Sequence, residues 1–579
     1  MLSVSPLRVH LDLQATTSHL VDVAITFMPQ CRELAFSLPA WTPGSYLIRD
    51  YVRQLEGLTA LQAERQLALR RTGVAAWAVR LEELEPVTLR YRVLAAELSV
   101  RTCHLTDEHA FLCLAAVVMA VDGQRWLPHR LTLALPSGWQ AFVPLPPSTD
   151  GSWQAIGFDQ LIDSPVEAGP HPSATFPVAG VPHRWVTWGS TVTGLDPLEA
   201  DTALLADVQR VCEQCCRVMG ETAPAADDYL FVLHLTDDGY GGLEHDRSSV
   251  LQFGRRKLAQ PDGRRRLLQL VAHEYLHQWN VRRLRPAELS PYTYDQPTVI
   301  PSLWFAEGIT SYLDQLIPCA AGIIAAADLY TDLAADLSRF RLTPGRAVQS
   351  LRQSSEEAWV KLYKADAYAA NAQVSYYLKG AVLALVLDLH LRRQGSALVR
   401  VLRSLWRSHG RWGRGYREQD LIEAFAAEAA DLRELLPRWL DSPEDPDVEG
   451  YLADLGLQLV PAPGRGCAMG WQLAQQSGGL QLTRLLRHGP AEQAGLMVGD
   501  ELIAIAGQRL RDADALQSLL QVLPAGQLLE VAYCRDGRLR FTSLNPGTAS
   551  PQSWTLAEDA QASEGCLTRR RQWLSLEVA

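Results

Sequence analysis

The stretch Val271-Ala-His273-Glu274-Tyr-Leu-His277-Gln-Trp279-Asn280 sets two imidazoles four positions apart with a carboxylate beside the first. On a helix four residues advance by about 400°, so His273 and His277 differ by only about 40° and lie one turn apart on one face. Two such rings reach one tetrahedral ion. Glu274 lies between them in angle, placed to touch a water on that ion without filling a ligand position. Thirty residues after His277, the run Ser302-Leu-Trp304-Phe-Ala-Glu307-Gly308-Ile-Thr310-Ser-Tyr312-Leu carries a carboxylate among apolar neighbours, where an unpaired charge is costly to bury. An exposed helix face, or a salt bridge to Arg282, Arg283 or Arg285, is the alternative reading of Glu307. Coordination explains the placement better, and His273, His277, Glu307 and a water complete a catalytic zinc site with one ion per chain.

The chemistry of that set is hydrolysis of a peptide bond. A metal-bound water is acidified, Glu274 takes its proton during attack on the carbonyl and later returns it to the leaving amine. The tetrahedral oxyanion needs a further donor. Ser375-Tyr376-Tyr377-Leu-Lys379-Gly380 offers two tyrosines just before the apolar run Ala381 to Leu391, where aromatic packing at a helix start is the competing reading.

The elements that must position these residues follow from the patterning. Leu7, Val9, Leu11 and Leu13, and again Val21, Val23, Ile25 and Phe27, alternate with polar or small residues, the period of half-buried strands. Residues 1–165 therefore read as an N-terminal β-sandwich. Helical periodicity dominates from about Leu198 to about Leu440, which places a mainly α-helical, thermolysin-like zinc peptidase domain at 166–445. Asp441-Ser-Pro-Glu-Asp-Pro-Asp447, with two prolines and four acids, reads as a linker. Short strands return beyond it, and "GPAEQAGLMVGDELIAIAG" from Gly489 resembles a PDZ domain, which binds extended peptides by strand addition; it is assigned to 451–548. The fold class is thus multidomain α+β, with a tail, 549–579, to which the sequence gives no role.

Composition narrows the classes. Of 579 residues, 47% are hydrophobic and 21% charged, an ordinary globular balance that excludes disordered and collagen-like chains. With 54 Lys and Arg against 65 Asp and Glu the net charge is −11, so neither nucleic acid nor an anionic membrane is an expected partner; peptide or protein substrates and a PDZ ligand are. The opening MLSVSPLRVHLDLQ lacks a basic region followed by an apolar one, and Ala381 to Leu391 is broken by Asp388 and too short to span a bilayer. The ten cysteines, including Cys212-x-x-Cys215-Cys216, read as reduced thiols. A cytoplasmic enzyme without a membrane span is expected. One segment departs from the acidic average: Arg247 to Arg285 holds ten basic residues and only two acids, Asp262 and Glu274. It reads as a mostly solvated basic face, part of which could rim the site.

Taken together, His273-Glu274-x-x-His277-x-Trp279-Asn-Val-x-Arg283-x-Arg285-Pro286, then Leu303-Trp304-x-x-Glu307-Gly308-x-Thr310-x-Tyr312, then Tyr376-Tyr377-x-Lys379-Gly380, resemble the M61 peptidases, the glycyl aminopeptidase family. The resemblance extends to Trp41-Thr-Pro43-Gly44-Ser45-Tyr46-Leu-Ile-Arg49-Asp50-Tyr51 and to Asp163-Ser-Pro-Val-Glu167. It implies a zinc aminopeptidase releasing small N-terminal residues such as glycine or alanine. It singles out Tyr377 as the oxyanion donor, with Tyr376 in reserve. It also likens Gly239-Tyr-Gly241-Gly242-Leu243-Glu244-His245 to the Gly-x-Met-Glu-Asn substrate edge of the related M1 enzymes, which implies that Glu244 pairs with the substrate amine and that Gly241 and Gly242 admit the peptide backbone. His245 stands where those enzymes carry asparagine. Two other functions compete: an endopeptidase whose PDZ module delivers chains, and a peptide-binding adaptor with a structural protease core. The second has no physical need for the non-ligating Glu274.

Overall fold

Alternation of buried and exposed residues makes Leu7–Asp12 and Leu20–Phe27 adjacent antiparallel strands. In the computed structural model, which describes residues 6–464, 466–476, 479–523 and 526–577, they lie inside a seven-stranded sheet. Residues 1–5, where the stretch read for a leader begins, lie outside the described residues. Two four-stranded sheets complete the N-terminal β layers, one ordered Ala120–Val121, Glu33–Ser37, Ala76–Arg80, Arg70–Gly73, the other Gln140–Phe142, Val166–Gly169, Ala110–Leu112, Cys103–Leu105. Their apolar faces share one core that includes Val9, Leu11, Val23, Ile25, Leu89 and Leu112.

The chain divides into two compact units. The first comprises Met1–Ile300, Leu313–Ile324 and Val399–Ala424. Besides the β layers it holds a five-stranded sheet ordered Ser173–Val178, Val181–Trp188, Tyr229–Thr236, Ser248–Gly254, Tyr240–Glu244. Tyr229–Thr236 pairs in parallel with both neighbours, and its first seven residues are all buried, the continuous apolar run expected of a strand covered on both faces. Tyr240–Glu244 is the edge, paired antiparallel to Ser248–Gly254. The helix Gly263–Leu276 packs on these two strands, and the helix Leu204–Met219 packs on it in turn. Cys212, Cys215 and Cys216 point into that core, and burial pushes all three thiols up, which makes them inert packing groups.

The second unit comprises Pro301–Tyr312, Ala325–Leu398 and Phe425–Ala579. Its centre is the helix Tyr376–Arg393 against the π-helical turn Trp304–Gly308. A Cβ on Gly308 would lie 2.5 Å from the Cα of Gly380, so both positions need glycine for the two backbones to meet. The segment Ala369–Arg393 is long and apolar enough to cross a bilayer, but 83% of its apolar window is buried in the protein, as in a core helix. The acidic stretch after Asp441 is not a free tether: Pro443 O accepts from Lys379 Nζ at 3.1 Å, and Asp447 caps the helix Val448–Leu452 by accepting from Gly450 N at 2.9 Å.

A sheet ordered Trp471–Gln476, Gly479–Leu485, Glu501–Ile505, Leu529–Arg535, Arg538–Leu544, with the helix Ala513–Val522, forms the PDZ core around Leu480, Leu502, Ile505, Leu516, Val531 and Leu544. Asn371 docks it: its Nδ2 donates to Leu485 O at 2.7 Å and its Oδ1 accepts from Arg487 N at 2.9 Å. The tail also has a place. Trp554–Glu558 pairs with Leu457–Pro461, and the helix Glu564–Leu574 buries Trp573 completely, its Nε1 donating to Tyr312 Oη at 2.8 Å.

Candidate active site

Leu267, Leu268, Val271, Ala272, Tyr275 and Leu276 anchor the helix Gly263–Leu276 in the first unit's core, which fixes the face carrying His273 and His277. The helix ends at Leu276, and His277 begins the turn that follows. The two rings stand edge to face, centroids 4.7 Å apart at 88°. His273 Nδ1 donates to Asp314 Oδ2 at 2.8 Å, and His277 Nδ1 donates to Asn280 O at 2.5 Å. Each ring therefore carries its proton on Nδ1 and presents the lone pair of Nε2, the tautomer and second-shell arrangement of a metal-ligating histidine. A divalent cation fits this donor set.

Glu274 and Glu244 are both buried, and one carboxylate oxygen of each lies with a ring nitrogen of His277 in a group spanning no more than 4.8 Å. Two glycines make that convergence sterically allowed. A Cβ on Gly242 would fall 2.3 Å from Glu274 Cδ, and one on Gly44, at φ +83°, would fall 2.6 Å from Glu244 Oε2. Gly242, expected to admit substrate backbone, thus also admits Glu274. The conspicuous Trp41-to-Tyr51 segment contributes Gly44 to the wall beside Glu244. Glu244 Oε1 is buried without a hydrogen-bond partner among the described residues.

Around this edge the polar network is dense. His245 Nδ1 hydrogen-bonds Asp163 Oδ1 at 3.0 Å, Asp246 N donates to Asp163 Oδ2 at 2.8 Å, and the buried Arg282 pairs with both Asp163 and Asp246 at 2.8 Å. Burial opposes the charge of Arg282, but those two carboxylates hold its guanidinium well above the ordinary value. Arg101 Nη2 donates to Gly242 O at 3.1 Å. The basic segment is largely neutralised by such partners: Arg247 by Asp228, Arg256 by Asp237, Lys257 by Asp238, Arg264 by Asp201 and Asp207, Arg266 by Asp262. Its charge is spent on structure.

In the second unit Glu307 sits in the π-helical turn, 2% exposed, among Trp304, Phe305 and Ala306. Ser375 caps the helix of the tyrosines, its Oγ accepting from Tyr377 N. Tyr376 is fully buried while Tyr377 is half-buried; their rings stack at 4.6 Å and both hydroxyls lie 3.1 Å from Tyr363 Oη. Lys379 of the same motif is structural: its Nζ donates to Arg346 O and Pro443 O, and burial lowers it to about 8. Asn280, Gly44 and Asp163 lie in motifs read from the sequence but were given no role there, and Asp314 and Tyr363 lie outside every such motif. Asp314 lies seven residues, about two helical turns, after Glu307.

Residues 8–170 match the Peptidase M61 N-terminal domain, 266–383 the M61 glycyl aminopeptidase and 482–535 the PDZ domain. Two stretches of the chain thus match models of M61 peptidase domains, and a third matches a PDZ domain. The chain is a peptidase bearing a PDZ domain. A solved structure of an aminopeptidase N family protein from Idiomarina loihiensis superposes on this chain with a TM-score of 0.92 at 27% identity, covering 98% of this chain and all of that one. An M1 zinc metallopeptidase from Deinococcus radiodurans gives 0.48 at 15% identity over 77% of this chain and 95% of that one. Yeast LTA4 hydrolase gives 0.48 at 12% over 78% and 70%. No curated protein matches the chain.

Proposed function

We propose that the chain is an aminopeptidase that releases small N-terminal residues, glycine or alanine, with one zinc ion held by His273, His277 and Glu307. Two imidazoles and a carboxylate are donor types that suit zinc. Support for the histidines is their shared Nδ1 anchoring; support for Glu307 is a carboxylate buried in an apolar turn. Bound there, zinc supplies a Lewis acid and an acidified water. Glu274 serves as general base, accepting the water's proton and returning it to the departing amine. Tyr377, the more exposed of its pair, donates to the oxyanion, with Tyr376 and Tyr363 fixing its hydroxyl.

The observation that carries the exopeptidase reading is Glu244. A buried carboxylate oxygen without a donor is expensive unless a ligand cation completes it. One of its carboxylate oxygens lies within 4.8 Å of Glu274 and His277 ligand atoms, as a contact to the amine of the residue being cleaved requires. The edge strand Tyr240–Glu244, with Gly241 and Gly242, receives that residue's backbone, and the PDZ edge strand Trp471–Gln476 takes an extended peptide by strand addition. The buried thiols of Cys212, Cys215 and Cys216 suit a reducing, cytoplasmic setting.

Release from Gly-, Ala- and Leu-anilides, compared with N-blocked peptides, tests the reading. Glycine and alanine are expected to leave fastest and blocked peptides to survive. Equal cleavage of blocked peptides would instead establish a PDZ-assisted endopeptidase.

A further inference from the structure

The Asp163-to-Glu167 motif is only half used by the edge network. Its other end, Glu167, lies in the strand Val166–Gly169, with no side-chain exposure, and every partner it has is an imidazole. His109 Nδ1 is 2.9 Å from Oε1, His234 Nε2 is 2.8 Å from Oε2, and His171 Nε2 is 3.3 Å from Oε1. His104 Nδ1 backs the cluster at 2.9 Å from His109 Nε2. Trp188 stacks on His109 with centroids 3.9 Å apart, and Phe111 meets His234 edge-on at 4.9 Å, so the rings are fixed. Two imidazoles and a carboxylate, with donor atoms inside 4.8 Å, repeat the ligand types of the catalytic centre at a separate place.

We propose that His109, Glu167 and His234 form a second site for a divalent cation of the zinc type, which clamps the N-terminal β layer to the central strand of the catalytic sheet. Imidazole nitrogen and carboxylate oxygen are the donors such ions prefer. No lysine or arginine among the described residues offsets the buried charge of Glu167. A carboxylate shut away from water with only imidazoles among its ion-pair partners is costly to bury, and a cation held by it removes the cost. Bonds of about 2.0–2.2 Å require the two short N···O separations to widen by roughly half an ångström, within side-chain adjustment. His171, one-tenth exposed, and the half-buried His104 border the cluster and give the ion a way in. The clamp acts on His234 in the strand Tyr229–Thr236, and the chain runs from there directly into the edge strand carrying Glu244.

The test is metal stoichiometry on the full chain. Stripped wild-type protein titrated with Zn2+ is expected to take up two equivalents. His277→Ala, which removes the catalytic site, is expected to retain one, and Glu167→Gln to lose one while keeping the other together with peptidase activity. If His277→Ala takes up none, or if the double variant His277→Ala/Glu167→Gln still takes up one, the proposal is overturned. Should Glu167→Gln not fold, the His277→Ala titration and the wild-type count of two against one decide it alone.

Discussion

Glu244 and Glu274 are two buried carboxylates grouped with the same histidine, yet their surroundings assign them different work. On the proposed function Glu274 follows a zinc ligand directly on the helix Gly263–Leu276 and is the base. Glu274→Gln is expected to keep its zinc, measured by metal analysis, and to lose about 10²–10⁴-fold in kcat. Asp314→Asn breaks the contact that fixes the His273 tautomer, so zinc affinity measured by chelator competition should fall about 10- to 100-fold. Gly242→Ala sets a methyl group into Glu274 and should abolish turnover with zinc retained. His273, Glu274 and His277 were legible in the sequence as a candidate set because helical spacing puts them on one face, and Glu307 because a carboxylate interrupts an apolar run. Gly44 and Asp163 were not, since they meet Glu244 and His245 only after some 80 to 200 intervening residues have folded.

At the scale of elements, alternation revealed the N-terminal strands and long apolar runs revealed the helices, because each period reports a single buried face. The tail was opaque for the opposite reason. Its helix Glu564–Leu574 is polar apart from Trp573 and a few neighbours, and one aromatic anchor leaves no periodicity. That anchor is nonetheless fully buried, donates to Tyr312 and stacks over Tyr330 at 6.4 Å. Tyr312 in turn donates to Asp388 at 2.8 Å, which also binds Arg392. Trp573→Ala is therefore expected to destabilise the second unit by about 3–5 kcal/mol, read in chemical denaturation, and Trp573→Phe by distinctly less. The acidic stretch is non-helical from residue 442 to 447, as its prolines require, and Pro443 also gives the buried Lys379 amine a carbonyl acceptor. Asn371→Ala removes the two hydrogen bonds that Asn371 makes to the PDZ core and should speed its limited proteolysis while leaving small-anilide turnover unchanged.

Across the whole molecule the acidic total of −11 conceals local pairing: the basic run around the metal helix is matched by aspartates drawn from other segments, so it is not a general anion-binding face. Acid sensitivity follows from histidines instead. Burial lowers His129 and His183 from 6.5 to about 4, with Leu127 O and Val181 O accepting from their rings. Both are neutral in the fold and protonate more readily when unfolded, so their contribution is complete above pH 6.5 and is lost as pH falls toward 4. Thermal unfolding followed between those values should show the midpoint dropping steadily. The central claim, a metallopeptidase that grips a free amine through Glu244, is met most directly by kcat/KM for glycine anilide and its N-acetyl form in wild type and Glu244→Gln. The expected result is strong preference for the free amine in wild type and a loss of about 10- to 100-fold in the variant, the ~1.5–3 kcal/mol of a charge-assisted contact. Equal rates on both substrates, unchanged in Glu244→Gln, would contradict it.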